Sequence, residues 1–290
     1  MRFAHNLLEL CKFCVLLTGL ACSVGCAERA EPTSEGEVRL AVLSPALADT
    51  LHRLGHAELI VGRQQFDRFT DQDVPAVGDL SGIDYETLLL VRPTHIIAQQ
   101  TQAGLPKRLH SIAGERGWTI HELPLLTLDD SIASIEVLDS LAGGSGEAGS
   151  KLAEQLRQSL KPDLSLGKTA IVASAAPLAV IGPGAFHWEI VRALGGEPVP
   201  VSGPAYLTLD AESFAALAPD TIVVLAPGEN PDAPVGELLG AASAIGIEAV
   251  AGGRVIVVTD PKCMLPSTAM LDFIERIRAE AQRLGPAPDS

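Results

Sequence analysis

Few side chains in this sequence are of the types and at the spacings that do chemistry. His52 and His56, four residues apart, could clamp a transition metal on one face of a helix. Gly55 is expected to end that helix, however, and no third ligand stands nearby in the sequence. Cys11 and Cys14 have the Cys-x-x-Cys spacing of redox and metal motifs, but they lie in an apolar leader. The sequence therefore predicts no resident metal.

Motifs of catalysis are equally sparse. Gly182-x-Gly184 lacks the third glycine of a dinucleotide fingerprint. The sequence has no Gly-x-Ser-x-Gly elbow and no Gly-Lys-Ser/Thr phosphate loop. His95 and His121 fall in or beside predicted strands, where a hydrogen-bonded structural role is expected. We predict a protein that is not an enzyme and keep a tethered extracytoplasmic α/β enzyme as the alternative.

The elements that must position any site come in two similar halves. Residues 83–98 (IDYETLLLVRPTHIIA) align without a gap on residues 209–224 (LDAESFAALAPDTIVV). Each segment predicts an acid-capped amphipathic helix, a proline turn and an apolar strand. The period of 126 residues is too long for a solenoid, so the repeat predicts two similar α/β lobes with a cleft between them.

Strands alternate with helices in both halves, which predicts two Rossmann-like lobes with mostly parallel sheets. The glycine-rich segment 143–146 interrupts the chain, and the helix that follows is expected to be the single connection between the lobes. Such a strut predicts small relative motion. The predicted boundaries are a signal peptide at 1–26, a flexible tether at 27–37, an amino-terminal lobe at 38–142, a linker helix at 143–166 and a carboxyl-terminal lobe at 167–285.

The net charge excludes some classes of partner, and the amino-terminal leader indicates where the protein acts. The formal net charge of −15 argues against binding to nucleic acid, and also against lying on an anionic membrane surface. Residues 13–25 are apolar but too few to span a bilayer comfortably, which is typical of a signal peptide. Cys26 follows Ser-Val-Gly and precedes a polar tether, as in a bacterial lipobox. We predict that Cys26 is lipidated, with cleavage near Ala27 and a free soluble protein as the alternative.

Motifs in a fixed order then give a family resemblance that runs from about Val38 to Arg278. The motifs are Arg39-Leu-Ala-Val-Leu-Ser44-Pro45, Leu54-Gly55, Leu59-Ile60-Val61-Gly62, Val77-Gly78, Arg92-Pro93-Thr94-His95-Ile96-Ile97, Gly182-Pro183-Gly184, Leu194-Gly195-Gly196, Ala218-Pro219-Asp220-Thr221-Ile222-Val223-Val224 and Gly252-Gly253-Arg254-Val255. With Glu86 and Glu212, they resemble the periplasmic-binding-protein family for iron chelates and vitamin B12, the helical-backbone class of ABC-importer receptors.

The resemblance implies a monomeric, periplasmic or otherwise extracytoplasmic receptor that delivers a ferric siderophore, heme, cobalamin or related corrinoid. It also implies that Glu86 and Glu212, one on each lobe, dock onto arginines of an ABC permease dimer that works with a cytoplasmic ATPase. The other use of first-turn glutamates is to stabilise the helix dipole. A binding protein for sensing or metal chaperoning, without a permease, is a second alternative.

Ligands of α/β sheets collect outside the carboxyl ends of strands, which selects the candidate ligand residues. Gln99, Gln100 and Lys262 are expected to recognise an anionic ligand, and His187 is the histidine expected to reach a heme or metal. The full predicted set is Phe66, Gln99, Gln100, His187, Tyr206 and Lys262.

Overall fold

A computed structural model describes residues 37–230 and 232–287. The first lobe is built on a four-stranded sheet in which every pairing is parallel, in the order β2-β1-β5-β6. Its central strands are apolar runs buried on both faces, as expected where helices cover a parallel sheet. The strands are β1 (Leu40–Val42), β2 (Ile60–Arg63), β5 (His95–Gln99) and β6 (Thr119–Leu123), with a small antiparallel ribbon of β3 (Gly78–Asp79) and β4 (Gly82–Ile83). The helices of this lobe are α1 (Pro45–Leu54), α2 (Tyr85–Val91) and α3 (Lys107–Arg116).

The second lobe has a six-stranded mixed sheet. Strands β9, β7, β11 and β12 pair in parallel. Strand β8 pairs antiparallel with the later part of β7, beyond β9, and β10 pairs antiparallel with β8. These strands are β7 (Lys168–Ala175), β8 (Leu178–Ile181), β9 (Glu197–Val199), β10 (Tyr206–Thr208), β11 (Thr221–Leu225) and β12 (Val255–Val258). The helices are α6 (Phe186–Ala193), α7 (Ala211–Ala215), α8 (Val235–Leu239), α9 (Glu248–Ala251) and α10 (Met270–Leu284), with α4 (Leu128–Leu141) and α5 (Glu147–Ser159) preceding them at the junction.

The predicted repeat is confirmed in the backbone. Asp84 caps α2 by accepting from the amides of Glu86 and Thr87, and Asp210 caps α7 by accepting from the amide of Ser213. Two non-glycine residues, Arg92 (φ 47°) and Ala218 (φ 45°), are left-handed and each precedes a proline. They lie at equivalent places of the repeat, 126 residues apart. A following proline disfavours the right-handed helical region. Arg92 is itself the carboxyl-terminal cap of α2, whereas Ala218 follows the end of α7 by three residues.

The connection between the lobes consists of two helices. Helix α5 lies inside the range predicted for the linker, and α4 forms a helical hairpin with it. The first half of α4 packs on the second-lobe core through Leu128, Ile132 and Ile135, whereas Leu138 packs on the first-lobe core. The sequence placed α4 wholly in the amino-terminal lobe, because a helical period shows which face is apolar but not which sheet that face covers.

A polar cluster joins the lobes at a second place. Asp49 on α1 is only 5% exposed. Its carboxylate accepts from Lys262 Nζ at 2.7 Å, from Ser267 Oγ at 2.7 Å and from Thr268 Oγ1 at 3.3 Å. These four residues are called the Asp49 cluster. The cluster is a buried side-chain contact between the lobes, in addition to the connection made by the α4–α5 hairpin. From Val38 onward the chain forms one compact unit.

Candidate functional site

The first lobe has a cavity of ≈ 320 Å³ at the carboxyl ends of its strands. Ser44 follows β1, Gln64 follows β2, and Gln99 ends β5, so three strand ends meet there. Asp79 and Ser81 of the β3–β4 ribbon complete the polar lining. The position predicted for Gln99 is thus at a cavity, while Gln64, Asp79 and Ser81 were not among the chosen candidates.

The second lobe has a cavity of ≈ 380 Å³ at the corresponding ends of its strands. Ser174 lies near the end of β7, and the wall beyond β11 continues through Ala226 and Pro227. The ionisable groups in the lining are Glu229 and Glu237. Sequence reasoning missed both glutamates, although Glu229 lies four residues after β11 and could have been found by extending the strand-end rule.

Both cavities are acidic. Among the described residues, neither lining contains Lys, Arg or His, and together they hold Asp79, Glu229 and Glu237. Hydrogen bonds from the hydroxyl and amide of Ser81, with others from Gly82 and Gln65, lower the pKa of Asp79, so this carboxyl is ionised at neutral pH. The amino end of α1 contributes roughly half a positive charge to the first cavity, less than the full charge of Asp79.

Of the six predicted ligand residues, all but Gln99 lie outside these linings. Phe66 is 68% exposed in the loop after β2. Gln100 is exposed just beyond β5, where alternation turns it away from the face of Gln99. Tyr206 is half-exposed and starts the edge strand β10 opposite Ile181, back along the sheet from the end of β7. The antiparallel β8 and β10 reverse the direction that the strand-end rule assumes.

The prediction that His187 contacts the ligand is wrong. The side chain is 2% exposed, its Nε2 lies 2.8 Å from the carbonyl oxygen of Cys263, and its ring stacks on Phe186 and meets Phe273 edge-on. Burial lowers its pKa to about 4, partly offset by the hydrogen bond to Cys263. The position of His187 at the start of α6 suggested contact with the ligand, but the ring turns into the core.

The role predicted for Lys262 is also corrected. Its ammonium is bound within the protein by Asp49 at 2.7 Å and lies 5.2 Å from the centre of the Phe69 ring. Since Asp49 is nearly inaccessible to solvent, its contact with Lys262 is screened less than an exposed ion pair would be. Lys262 is therefore an inter-lobe contact rather than a free cation for an anionic ligand.

The two repeated glutamates are equivalent in local geometry. Glu86 and Glu212 each occupy the second helical position after an aspartate cap, and both are exposed. Neither carboxylate forms an ion pair with another described residue. Hydrogen bonds from Thr87 lower the pKa of Asp84, and those from Ser213 lower the pKa of Asp210. The caps satisfy the helix ends, so the glutamate side chains are available to a partner.

The two histidines of α1 contact different partners. His52 Nε2 lies 3.2 Å from Thr70 Oγ1, and His56 Nε2 lies 2.9 Å from Asp139 Oδ1. Across residues 37–230 and 232–287 there is no group of three or more His, Cys, Asp or Glu side chains placed to hold a metal.

In the same ranges, no helix combines the length and apolarity needed to cross a membrane. Cys26, Cys11 and Cys14 lie outside the described residues.

No protein-family model and no curated protein matches this chain. Solved structures do. The vitamin B12-binding protein BtuF of Vibrio cholerae is 19% identical with a TM-score of 0.65, over 85% of this chain and 97% of that one. The heme-binding protein HutB of Vibrio cholerae is 16% identical with a TM-score of 0.68, over 86% and 100%. An ABC-transporter substrate-binding protein of Listeria monocytogenes is 19% identical with a TM-score of 0.60, over 88% and 100%. The chain therefore has the two-lobed α/β fold of these periplasmic and substrate-binding proteins.

Proposed function

We propose that this protein is the extracytoplasmic substrate-binding component of an ABC importer, and that it captures a metal chelate or tetrapyrrole and delivers it to a permease. The observation that carries the proposal is the duplicated cavity: each lobe ends its parallel strands in one. The solved neighbours, a vitamin B12-binding protein, a heme-binding protein and an ABC-transporter substrate-binding protein, support the same class. Cys26 as a lipid anchor and a monomeric state complete the proposal.

The charge of the cavities selects among ligands. Heme carries two propionates and many ferric siderophores are anionic, so each would bring negative charge beside Asp79, Glu229 and Glu237. No unpaired cation lines either cavity within the described residues, and Lys262 is already paired. Amides and hydroxyls such as those of Gln64, Ser44 and Ser174 suit a neutral ligand rich in amides. We therefore place an uncharged or cationic corrinoid ahead of heme and anionic siderophores.

Ligand preference is measured by equilibrium dialysis of the purified protein against cyanocobalamin, hemin and an anionic ferric siderophore. We expect cyanocobalamin to bind at least tenfold more tightly than either anion. Gln99→Leu should weaken that binding about tenfold, the loss expected when an apolar side chain replaces a hydrogen-bonding one. Gln100→Leu is the matched control and should bind normally. Tighter binding of hemin would contradict the charge argument, and an equal effect at Gln100 would restore its predicted role.

Docking on the permease is assigned to Glu86 and Glu212. Charged contacts of this kind fix orientation more than they add affinity. The matching local geometry of α2 and α7 presents one exposed carboxylate on each lobe, as a receptor for two related permease subunits requires. The helix-dipole alternative is worth only roughly 0.3–1 kcal/mol for each helix. It predicts a slightly less stable protein whose transport is normal.

The double variant Glu86→Ala, Glu212→Ala should abolish uptake in cells and leave ligand affinity unchanged in the purified protein. Its matched control is Glu147→Ala with Glu248→Ala, because these exposed glutamates also occupy first turns but lie outside the repeat. The control should transport normally, because it removes the same charge and the same dipole contacts without touching the proposed docking residues. Normal uptake by the Glu86, Glu212 variant would leave only the dipole role. Ligand binding without any dependence of uptake on the protein would favour sensing or chaperoning.

A further inference from the structure

Two histidines lie close together on neighbouring strands of the first-lobe sheet. His95 begins β5 and His121 lies in the middle of β6, the edge strand. In the parallel register, His95 pairs with Thr119 and Ile97 pairs with His121, so the two rings project from one face as diagonal neighbours. His95 Nδ1 lies 3.2 Å from His121 Nε2, and the ring centres are 5.2 Å apart. Both side chains are partly exposed.

The separation of the two nitrogens matches the bite of a bidentate metal site. With metal–nitrogen bonds of about 2.0–2.1 Å, two imidazoles on one ion are separated by about 2.9 Å at a right angle and about 3.4 Å at a tetrahedral angle. The observed 3.2 Å falls between these limits. We propose that His95 Nδ1 and His121 Nε2 together bind one divalent ion of the borderline class, such as Zn²⁺ or Ni²⁺, with water completing its coordination.

Imidazole is a good ligand for this class of ion. Since no third His, Cys, Asp or Glu joins the pair within the described ranges, the site keeps open positions and exchanges its metal with solution. The other described histidines lack this arrangement. His52 and His56 contact different partners, His187 is buried, and His110 is exposed on α3.

The site is separate from the proposed ligand cavity. His95 begins β5 and Gln99 ends it, so the histidine pair and the first-lobe cavity lie toward opposite ends of the strand. A metal held there would link the edge strand β6 to its neighbour. The inference therefore stands whether or not the protein serves a permease.

The test is a calorimetric titration of the full chain with Zn²⁺ at pH 7.5, beside His95→Gln, His121→Gln and the control His110→Gln. Cysteines are common to all four chains, so zinc held by them appears in every isotherm. We expect a one-equivalent event in the wild type and in His110→Gln that is at least tenfold weaker in each of the other two. Four identical isotherms, or a loss in only one of the pair, would overturn the site.

A second measurement keeps the result independent of how the variants fold. Substoichiometric Ni²⁺ should broaden the imidazole resonances of His95 and His121 in the wild-type protein before those of His110. Equal broadening of all three, or none, would overturn the proposal.

Discussion

Asp49→Ala is expected to lower the free energy of unfolding by about 3 kcal/mol, the largest effect of any single substitution proposed for this chain. The change leaves the hydroxyls of Ser267 and Thr268, 2% and 0% exposed, without their acceptor. It also strands the ammonium of Lys262, which is about one-third exposed and so partly rehydrated. Unpaired buried donors cost ~1–3 kcal/mol, and breaking a buried ion pair costs ~3–5 kcal/mol, which partial exposure of Lys262 reduces.

The matched control is Arg53→Ala. Arg53 also lies on α1 and pairs with Asp272 of the second lobe. The side chains of this pair are 35% and 41% exposed. An exposed pair contributes at most ~1 kcal/mol. Urea unfolding of the two variants should therefore separate them by about 2 kcal/mol. Equal losses would mean that the Asp49 cluster is not the buried attachment described above.

The same cluster predicts that Lys262→Glu destabilises the protein. An unpaired lysine in a cleft could be reversed in charge with little effect on stability. Beside Asp49, however, a glutamate would place two carboxylates where an ion pair stood, in a region that water reaches only partly. Loss of ligand binding in that variant would report a damaged junction and not a missing ligand contact.

Acid should destabilise the protein through His187. Its folded pKa of about 4 lies below the ordinary value of 6.5, because burial disfavours the charged ring. Above pH 6.5 the ring is neutral in both states, so stability is unaffected. As the pH falls from 6.5 to 4, the unfolded chain takes up the proton first and the folded state loses stability; below 4 the loss levels off. At pH 5 the loss reaches about 2 kcal/mol.

Urea unfolding at pH 7.5 and pH 5 measures this loss. His187→Gln keeps a donor for the carbonyl of Cys263 but does not titrate, so its stability should change by about 2 kcal/mol less between the two pH values than that of the wild type. His110→Gln, at an exposed position on α3, should retain the wild-type pH dependence. Burial also lowers the pKa values of His95 and His121, which act in the same direction and remain in the variant. Identical pH dependence in wild type and His187→Gln would contradict the burial argument.

The sequence predicts the duplicated frame well because local chemistry specifies it. Asp84 and Asp210 start equivalent helices, and Pro93 and Pro219 each follow a left-handed residue at the same place of the repeat. Strand-end reasoning reaches Gln99 for the same reason, since a parallel strand and its following loop are adjacent in the chain.

Predictions that depend on distant partners fare worse. The fate of His187 depends on Cys263 and Phe273, and that of Lys262 depends on Asp49, 213 residues away. No local pattern records that such a group already has a partner. Tyr206 differs again, because an antiparallel edge reverses the geometry of an otherwise parallel sheet.

The α4–α5 hairpin means that the halves of this protein are repeats without being separable folding units. A chain cut at the glycines between the two helices would leave Leu128, Ile132 and Ile135 on the first fragment, with their apolar partners on the second. Each fragment would then expose a surface that only the other can cover. We therefore expect neither lobe to fold without the other, and the two to unfold in one transition although each carries its own cavity.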